Sequence, residues 1–182
     1  MPRPSDDILP HELARQTVEA FIRERIVIEP PANPEGILST QAGVFVTLRK
    51  SDGELRGCIG TIEAEQRNVA QEIIRNAISA ATRDPRFPAV TTGELSSLSY
   101  SVDLLSTPEP ARGPEDLDPA VYGVIVENLD GSRRGLLLPR IAGLDSVEQQ
   151  WLAVHVKAGI SPGTAVRVER FEVRRFQRVD SV

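Results

Sequence analysis

Two aspartate-glycine pairs, each set between alternating apolar and polar residues, constrain this chain most. Asp52-Gly53 separates Val44-Phe45-Val46-Thr47-Leu48-Arg49-Lys50 from Glu54–Thr61. Asp130-Gly131 separates Gly123–Asn128 from Ser132–Leu138. Alternation sends successive side chains to opposite faces of a strand. An Asp-Gly pair accepts the positive φ that a tight hairpin turn requires. Each pair therefore predicts an antiparallel hairpin, which argues against a fold of repeated βαβ units.

Helical spacing supplies the other elements. Leu13, Ala14, Thr17, Val18, Phe21 and Ile22 form one apolar stripe and predict a helix over His11–Ile26. Pro10 suits its first turn, where a missing N–H does no harm. The proline-rich stretch Glu29–Gly36 reads as a loop. A second helix is expected over Asn68–Thr82, with Ala77, Ala80 and Ala81 on its buried side, stopping before Pro85. Leu98, Tyr100, Val102 and Leu104 alternate with Ser99, Ser101 and Asp103 as a half-buried strand, and Thr107–Pro119 reads as a solvated connection. Ser146 and Gln149 make a capping box that opens a third helix, with Trp151, Leu152 and His155 on one side and Gly159 at its end. The last strand, Val166 to about Phe176, changes apolar phase between Val168 and Phe171, which predicts a bulge near Glu169-Arg170. The expected fold is α+β, a mostly antiparallel sheet with about three helices. At 182 residues the chain suits one domain, with room for two subdomains.

Composition narrows the function classes. A net charge of −5 argues against a general nucleic-acid surface, and 4% aromatic residues leave few stacking platforms. No stretch approaches membrane-spanning length, so no membrane role is expected. The start, Met1-Pro2-Arg3-Pro4-Ser5-Asp6-Asp7, lacks the apolar run of a signal peptide. One cysteine forms no internal disulfide and fits a reducing compartment, so a cytoplasmic location is expected. His11 and His155 are the only histidines and lie far from Cys58 in sequence, which speaks against a dedicated metal site. No cofactor is indicated, and no glycine loop of a phosphate-binding type occurs.

The chemistry concentrates in Leu55-Arg56-Gly57-Cys58-Ile59-Gly60-Thr61. A two-residue turn would pair Thr47 with Cys58 and Arg49 with Arg56, leaving Val44, Val46 and Leu48 on the face of Leu55, Gly57 and Ile59. Arg56 and Cys58, two residues apart, would then share the other face. Facing arginines destabilise a ladder unless an anion neutralises them. That anion is either a ligand or a protein carboxylate such as Asp84 or Asp103. A neighbouring cation also favours the thiolate. Gly57 and Gly60 admit a close ligand or backbone. Asp84-Pro85-Arg86-Phe87-Pro88 is either a helix stop with a local ion pair or a loop overhanging the cysteine strand. The candidate ligand-binding set is Thr47, Arg49, Arg56, Gly57, Gly60, Asp84 and Arg86. Cys58 is packed, ligand-lining or nucleophilic, and Arg56 serves an internal salt bridge or a substrate. Arg133-Arg134 and Arg174-Arg175 read as solvated edge charges.

These residues resemble a known family. The stretch Leu55–Thr61 is similar to the signature of the AMMECR-one domain. The likeness extends to Gly43–Leu48, Asn76-Ala77 with Ala80-Ala81, Asp84–Pro88, Arg134–Pro139 and Lys157-Ala158-Gly159. The resemblance implies an α+β protein with a larger and a smaller lobe and no established activity. It also implies a partner role in a system with a Memo-like protein and a radical S-adenosylmethionine enzyme. The leading expectation is an accessory module that holds an anionic small molecule or an acidic partner segment. The alternative is a small thiol-dependent enzyme with Cys58 as nucleophile.

Overall fold

The computed structural model describes residues 3–178. The described chain divides into two compact units, one of residues 3–104 and 174–178, the other of residues 105–173. The described residues carry seven strands and three α-helices in an α+β arrangement with antiparallel pairing.

The first unit opens with α1, Pro10–Glu24, whose first residue is the expected proline. Leu13, Ala14, Thr17, Val18 and Ile22 are buried, as the stripe requires. The helix ends two residues before Ile26 because Arg25 takes the left-handed conformation and returns its N–H to the Phe21 carbonyl. Helix α2, Val69–Thr82, starts where the Asn68 side chain accepts from the Gln71 N–H at 3.0 Å. Its small residues, Ala70, Ala77, Ala80 and Ala81, let it lie close against strands β1, Val44–Arg49, and β2, Leu55–Thr61. Strand β3, Ser99–Leu105, pairs with β1 on the side away from β2, so β2 is an edge. The apolar face of β1 and β3, with Val44, Val46, Leu48, Tyr100 and Val102, packs into the core that both helices cover.

The first hairpin departs from the expected two-residue turn. Lys50 N–H donates to Glu54 O, Gly53 N–H donates to Lys50 O, and only Gly53 has positive φ, at 86°. The loop is thus the three residues Ser51, Asp52 and Gly53, which shifts the pairing by one. A bulge between Leu48 and Arg49 shifts it back. Thr47 pairs with Cys58 as expected, but Arg49 faces Leu55, and Arg56 is the extra residue. The expected opposition of Arg49 and Arg56 does not occur.

The second unit contains β4, Glu109–Ala111, β5, Tyr122–Asn128, β6, Arg134–Leu137, and α3, Val147–Ala158. Strand β7, Val166–Gln177, pairs with β4 and β5 here, and its last residues belong to the first unit beside β3. The stretch Thr107–Pro119 is more than a solvated connection: it holds β4 and a short 3-10 turn, Pro114–Asp116, and buries Leu117. The capping box of α3 is present in both directions, and Gly159 closes the helix at φ 66°. His155 is buried and Trp151 half-buried, whereas Leu152 is 54% exposed and points away.

The expected bulge in β7 is absent, since pairing with β5 runs in step from Val166 to Glu172. The phase change is real, but it arises because β7 buries both faces. Val168 joins the unit's core, while Phe171 lies over Gly123, where a Cβ would meet its ring at 2.3 Å.

Candidate functional site

Strand β2 presents different chemistry on its two sides and its edge. On the side of α2, Gly57 lies against the helix backbone. A Cβ there would meet the Ala80 carbonyl oxygen at 2.2 Å, so only glycine fits. Further along, Thr61 donates to the fully buried carboxylate of Glu72 at 2.8 Å, which also accepts the Glu65 and Gln66 N–H groups. Gly60 makes room for the Phe45 ring, which a Cβ would meet at 2.3 Å.

At the edge, the Asp84–Pro88 loop overhangs the cysteine strand. The Asp84 carboxylate accepts the Cys58 N–H at 2.9 Å and grips Arg86 at 2.9 and 2.7 Å. Arg86 Nη2 donates in turn to Cys58 O at 3.4 Å. Both reserved readings of this loop hold together: it stops α2, keeps a local ion pair, and occupies the strand edge that would otherwise recruit another strand. The Arg86 hydrogen bonds, then those of the Cys58 and Arg86 N–H groups, hold the Asp84 carboxyl far below the usual carboxylate range against its burial.

Arg56, bulged out of the ladder, is only 6% exposed. Its Nε donates to Glu94 Oε1 at 2.6 Å, Nη2 to Oε2 at 3.3 Å, and Nη1 to Pro88 O at 2.9 Å. Its charge is therefore met by a protein carboxylate, neither Asp84 nor Asp103, and no ligand is needed to balance it. Glu94 also closes a capping box with Thr91. The Arg56 bond, then the Thr91 N–H and hydroxyl, lower the Glu94 carboxyl to about 2. Arg56 thus takes the structural of its two roles.

The face opposite α2 is what remains for chemistry. Cys58, Thr47 and Ser101 form a row across β2, β1 and β3. Thr47 Oγ1 donates to the half-exposed Cys58 sulfur at 3.2 Å. Arg175 forks onto the buried Asp103 at 2.7 Å in both bonds. It is thus an internal partner rather than a solvated edge charge. Arg49 is exposed, and among the described residues its guanidinium donates to a backbone carbonyl, Gly53 O, at 2.9 Å. A cleft of about 340 Å³ opens beside this row. Thr47, Ser99 and Ser101 line it with Arg15, Arg49, Arg175 and Arg178, against one carboxylate among the described residues, Glu12. Cys58 borders the cleft through Thr47 without lining it.

The expected set therefore separates. Thr47, Arg49 and Cys58 gather at the polar face with Arg86 nearby, while Arg56, Gly57, Gly60 and Asp84 serve packing and the edge. Sequence reasoning missed Glu94 as the partner of Arg56 and left Ser101 and Arg15 out of the site. The Thr91-x-x-Glu94 capping box was readable, but nothing local joined it to a residue 38 positions away. His155 is fully buried in the second unit, with Nδ1 at 2.9 Å from Trp151 O of its own helix. Among the described residues no helix is long and apolar enough to cross a membrane.

The fold and this strand define a class: an antiparallel α+β protein whose arginine-glycine-cysteine edge strand is clasped by a proline loop. The chain belongs to the AMMECR1 family, whose model matches residues 11–180. A Thermotoga maritima protein is 49% identical over 90% of this chain and 94% of its own length. A Clostridium acetobutylicum protein is 43% identical over 91% of this chain but only 35% of its own length, so the matching region there is part of a longer protein. The crystal structure of an uncharacterized protein from Pyrococcus horikoshii superposes with a TM-score of 0.84 at 31% identity, covering 93% of this chain and 89% of that one.

Proposed function

We propose that this chain is an accessory binding module that holds an anionic small molecule on the polar face of β1–β3, beside Cys58. The observation that carries this reading is the cleft, which among the described residues is lined by four guanidiniums, the hydroxyls of Thr47, Ser99, Ser101 and Tyr100, and one carboxylate. Asp103 offsets Arg175 and Glu19 offsets Arg15, at 2.7 and 3.1 Å, but among the described residues no side-chain carboxylate is bonded to Arg49. A cleft of this size lies at the small end of ligand pockets, which favours a small molecule over an acidic partner segment. Arg49 and Arg175 would hold the acid group, with Thr47 and Ser101 as hydroxyl partners. The test is a thermal-shift panel of short carboxylic acids and phosphate esters on the wild type and Arg49→Gln. Stabilisation by a subset of acids that Arg49→Gln loses supports the reading, and no stabilisation by any acid sinks it.

Cooperation with a Memo-like protein and a radical S-adenosylmethionine enzyme is part of the proposal and rests on the family resemblance. The occurrence of the matching region within a longer clostridial protein fits a module that works beside other domains. Co-purification of the wild type and Cys58→Ser with both partners tests it. Retention by neither protein would remove the idea. A cytoplasmic location belongs to the same proposal.

The thiol-enzyme reading stands second. A half-exposed sulfur on a strand whose Cys58 carbonyl accepts from Arg86 favours it. Against it, the sulfur's hydrogen-bond partner among the described residues is the Thr47 hydroxyl, not an imidazole or a carboxylate. A steep rise of Cys58 alkylation well below the ordinary thiol range would restore it.

A further inference from the structure

The same cleft contains two features that anion binding alone does not use. Tyr100 and His11 line it beside Arg15. The Tyr100 hydroxyl and His11 Nδ1 are buried and have no hydrogen-bond partner among the described residues. The other two such atoms, on Gln150 and His155, belong to the second unit. In the first unit, then, the orphaned buried side-chain atoms both sit on residues of this one cleft.

An orphaned buried polar atom costs about 1–3 kcal/mol, and a buried tyrosine hydroxyl usually has a partner. Phenylalanine would fill the Tyr100 position without that cost. Tyr100 is 6% exposed, and its ring belongs to the apolar core opposite Leu48. Its hydroxyl lies within the field of Glu19, Arg15 and Arg23 on α1. Burial raises the phenol above its ordinary value, so it stays protonated and offers a proton. Burial also lowers the His11 imidazole, which leaves it neutral near pH 7 with one nitrogen free to accept.

The two orphans lie apart from the basic sheet face. Ser99 and Ser101 face one side of β3 and Tyr100 the other, because strand side chains alternate. The cleft thus draws Arg49 and Arg175 from the polar face, and Tyr100 and His11 from the side of α1.

We infer that the cleft takes a small organic acid bearing a hydroxyl or carbonyl group remote from its acid, with that group hydrogen-bonded by Tyr100 and His11. This rests on the anion reading of the same cleft. The acid meets Arg49 and Arg175, and the remote group satisfies the phenol and the imidazole. Tyr100 and His11 then set specificity among acids of similar length.

The experiment is calorimetric titration of the wild type and Tyr100→Phe with butanoate and hexanoate, and with 4-hydroxybutanoate and 6-hydroxyhexanoate. The wild type is expected to bind at least one hydroxy acid about tenfold more tightly than its parent. In Tyr100→Phe that preference should fall below about threefold, while the parent acid binds as before. Equal affinity for hydroxy and parent acids, or a preference that survives in Tyr100→Phe, overturns the inference and leaves the anion reading intact. Failure of all four acids to bind also overturns the inference, while the anion reading stands or falls with the wider panel of carboxylic acids and phosphate esters. The unliganded Tyr100→Phe chain should melt at or above the wild-type temperature, since it loses only an orphan. A clearly lower melting temperature also overturns the inference, because the hydroxyl would then be serving the fold.

Discussion

The two hairpins follow one plan and differ where it matters. Each turns at an Asp-Gly pair, and each return strand carries Arg-Gly, Arg56-Gly57 in β2 and Arg134-Gly135 in β6. In each, the glycine lies against an alanine near the end of a helix: Gly57 meets the Ala80 backbone of α2, and Gly135 meets Ala158 of α3. The second hairpin keeps regular pairing through Glu127 and Arg134. Its arginine stays at the surface, 3.8 Å from Glu169. The first hairpin breaks register at Arg56, buries the guanidinium on Glu94, and follows the glycine with Cys58 where β6 has Leu136. Glycine under a helix is thus a packing device in both. The bulge, the buried ion pair and the open thiol belong to one hairpin alone, and there the polar cleft lies.

The largest effects should come from the shared device. Gly57→Ala should cost about 3 kcal/mol or more in urea denaturation, because its methyl group meets a helix carbonyl that cannot yield alone. Gly135→Ala should cost less, about 1–3 kcal/mol, because it meets the last residue of α3. A Gly57→Ala chain as stable as the wild type would undo the packing account.

The arginines should separate more sharply. Arg56→Ala should cost about 2–3 kcal/mol, less than a fully buried pair, because the Glu94 side chain is 33% exposed. Arg134→Ala should cost below about 1 kcal/mol, as for other surface pairs. Equal costs for the two would erase the distinction between the hairpins.

Acid sharpens the same contrast. The Glu94 carboxyl lies lower in the folded chain than its ordinary 4.5, at about 2. The unfolded chain therefore takes up this proton first as pH falls. The stability it contributes is full above about 4.5 and is lost as pH falls towards about 2. Melting curves across that window should show a shallower loss in Glu94→Gln than in the wild type. Identical slopes would mean that the clasp carries no charge-dependent stability. Cys58→Ser should be the mildest change, within about 0.5 kcal/mol, since the position is half-exposed and the Thr47 contact survives in kind.

Much of this was legible in the residues, for identifiable reasons. Ser146, Gln149 and Gly159 placed α3 because capping depends on neighbours in sequence. The apolar face of β1 placed Thr47 opposite Cys58, since slipping that register would turn Val44, Val46 and Leu48 out of the core. The fate of Arg56 was not legible. A longer turn and a bulge cancel, so the flanking pattern looks regular while one residue drops out. Its partner Glu94 declared only a local capping role. In β7 the phase change at Phe171 reflects a glycine on the neighbouring strand, which alternation along one strand does not reveal. Tyr100 read as a core residue, and it is one; the orphaned hydroxyl becomes visible only when its surroundings are known.

The polar face as an anion site is tested most directly through Cys58, the only cysteine of the chain. Iodoacetate and iodoacetamide alkylate a thiol by the same displacement and differ mainly in charge. Their rate ratio, divided by the ratio for N-acetylcysteine at the same pH and low salt, cancels reactivity and most of the access term. The ratio should favour iodoacetate by about fivefold or more, and should fall towards one with added salt or in Arg49→Gln. A ratio at or below one, unmoved by salt or by Arg49→Gln, would contradict an anion-attracting face beside the thiol.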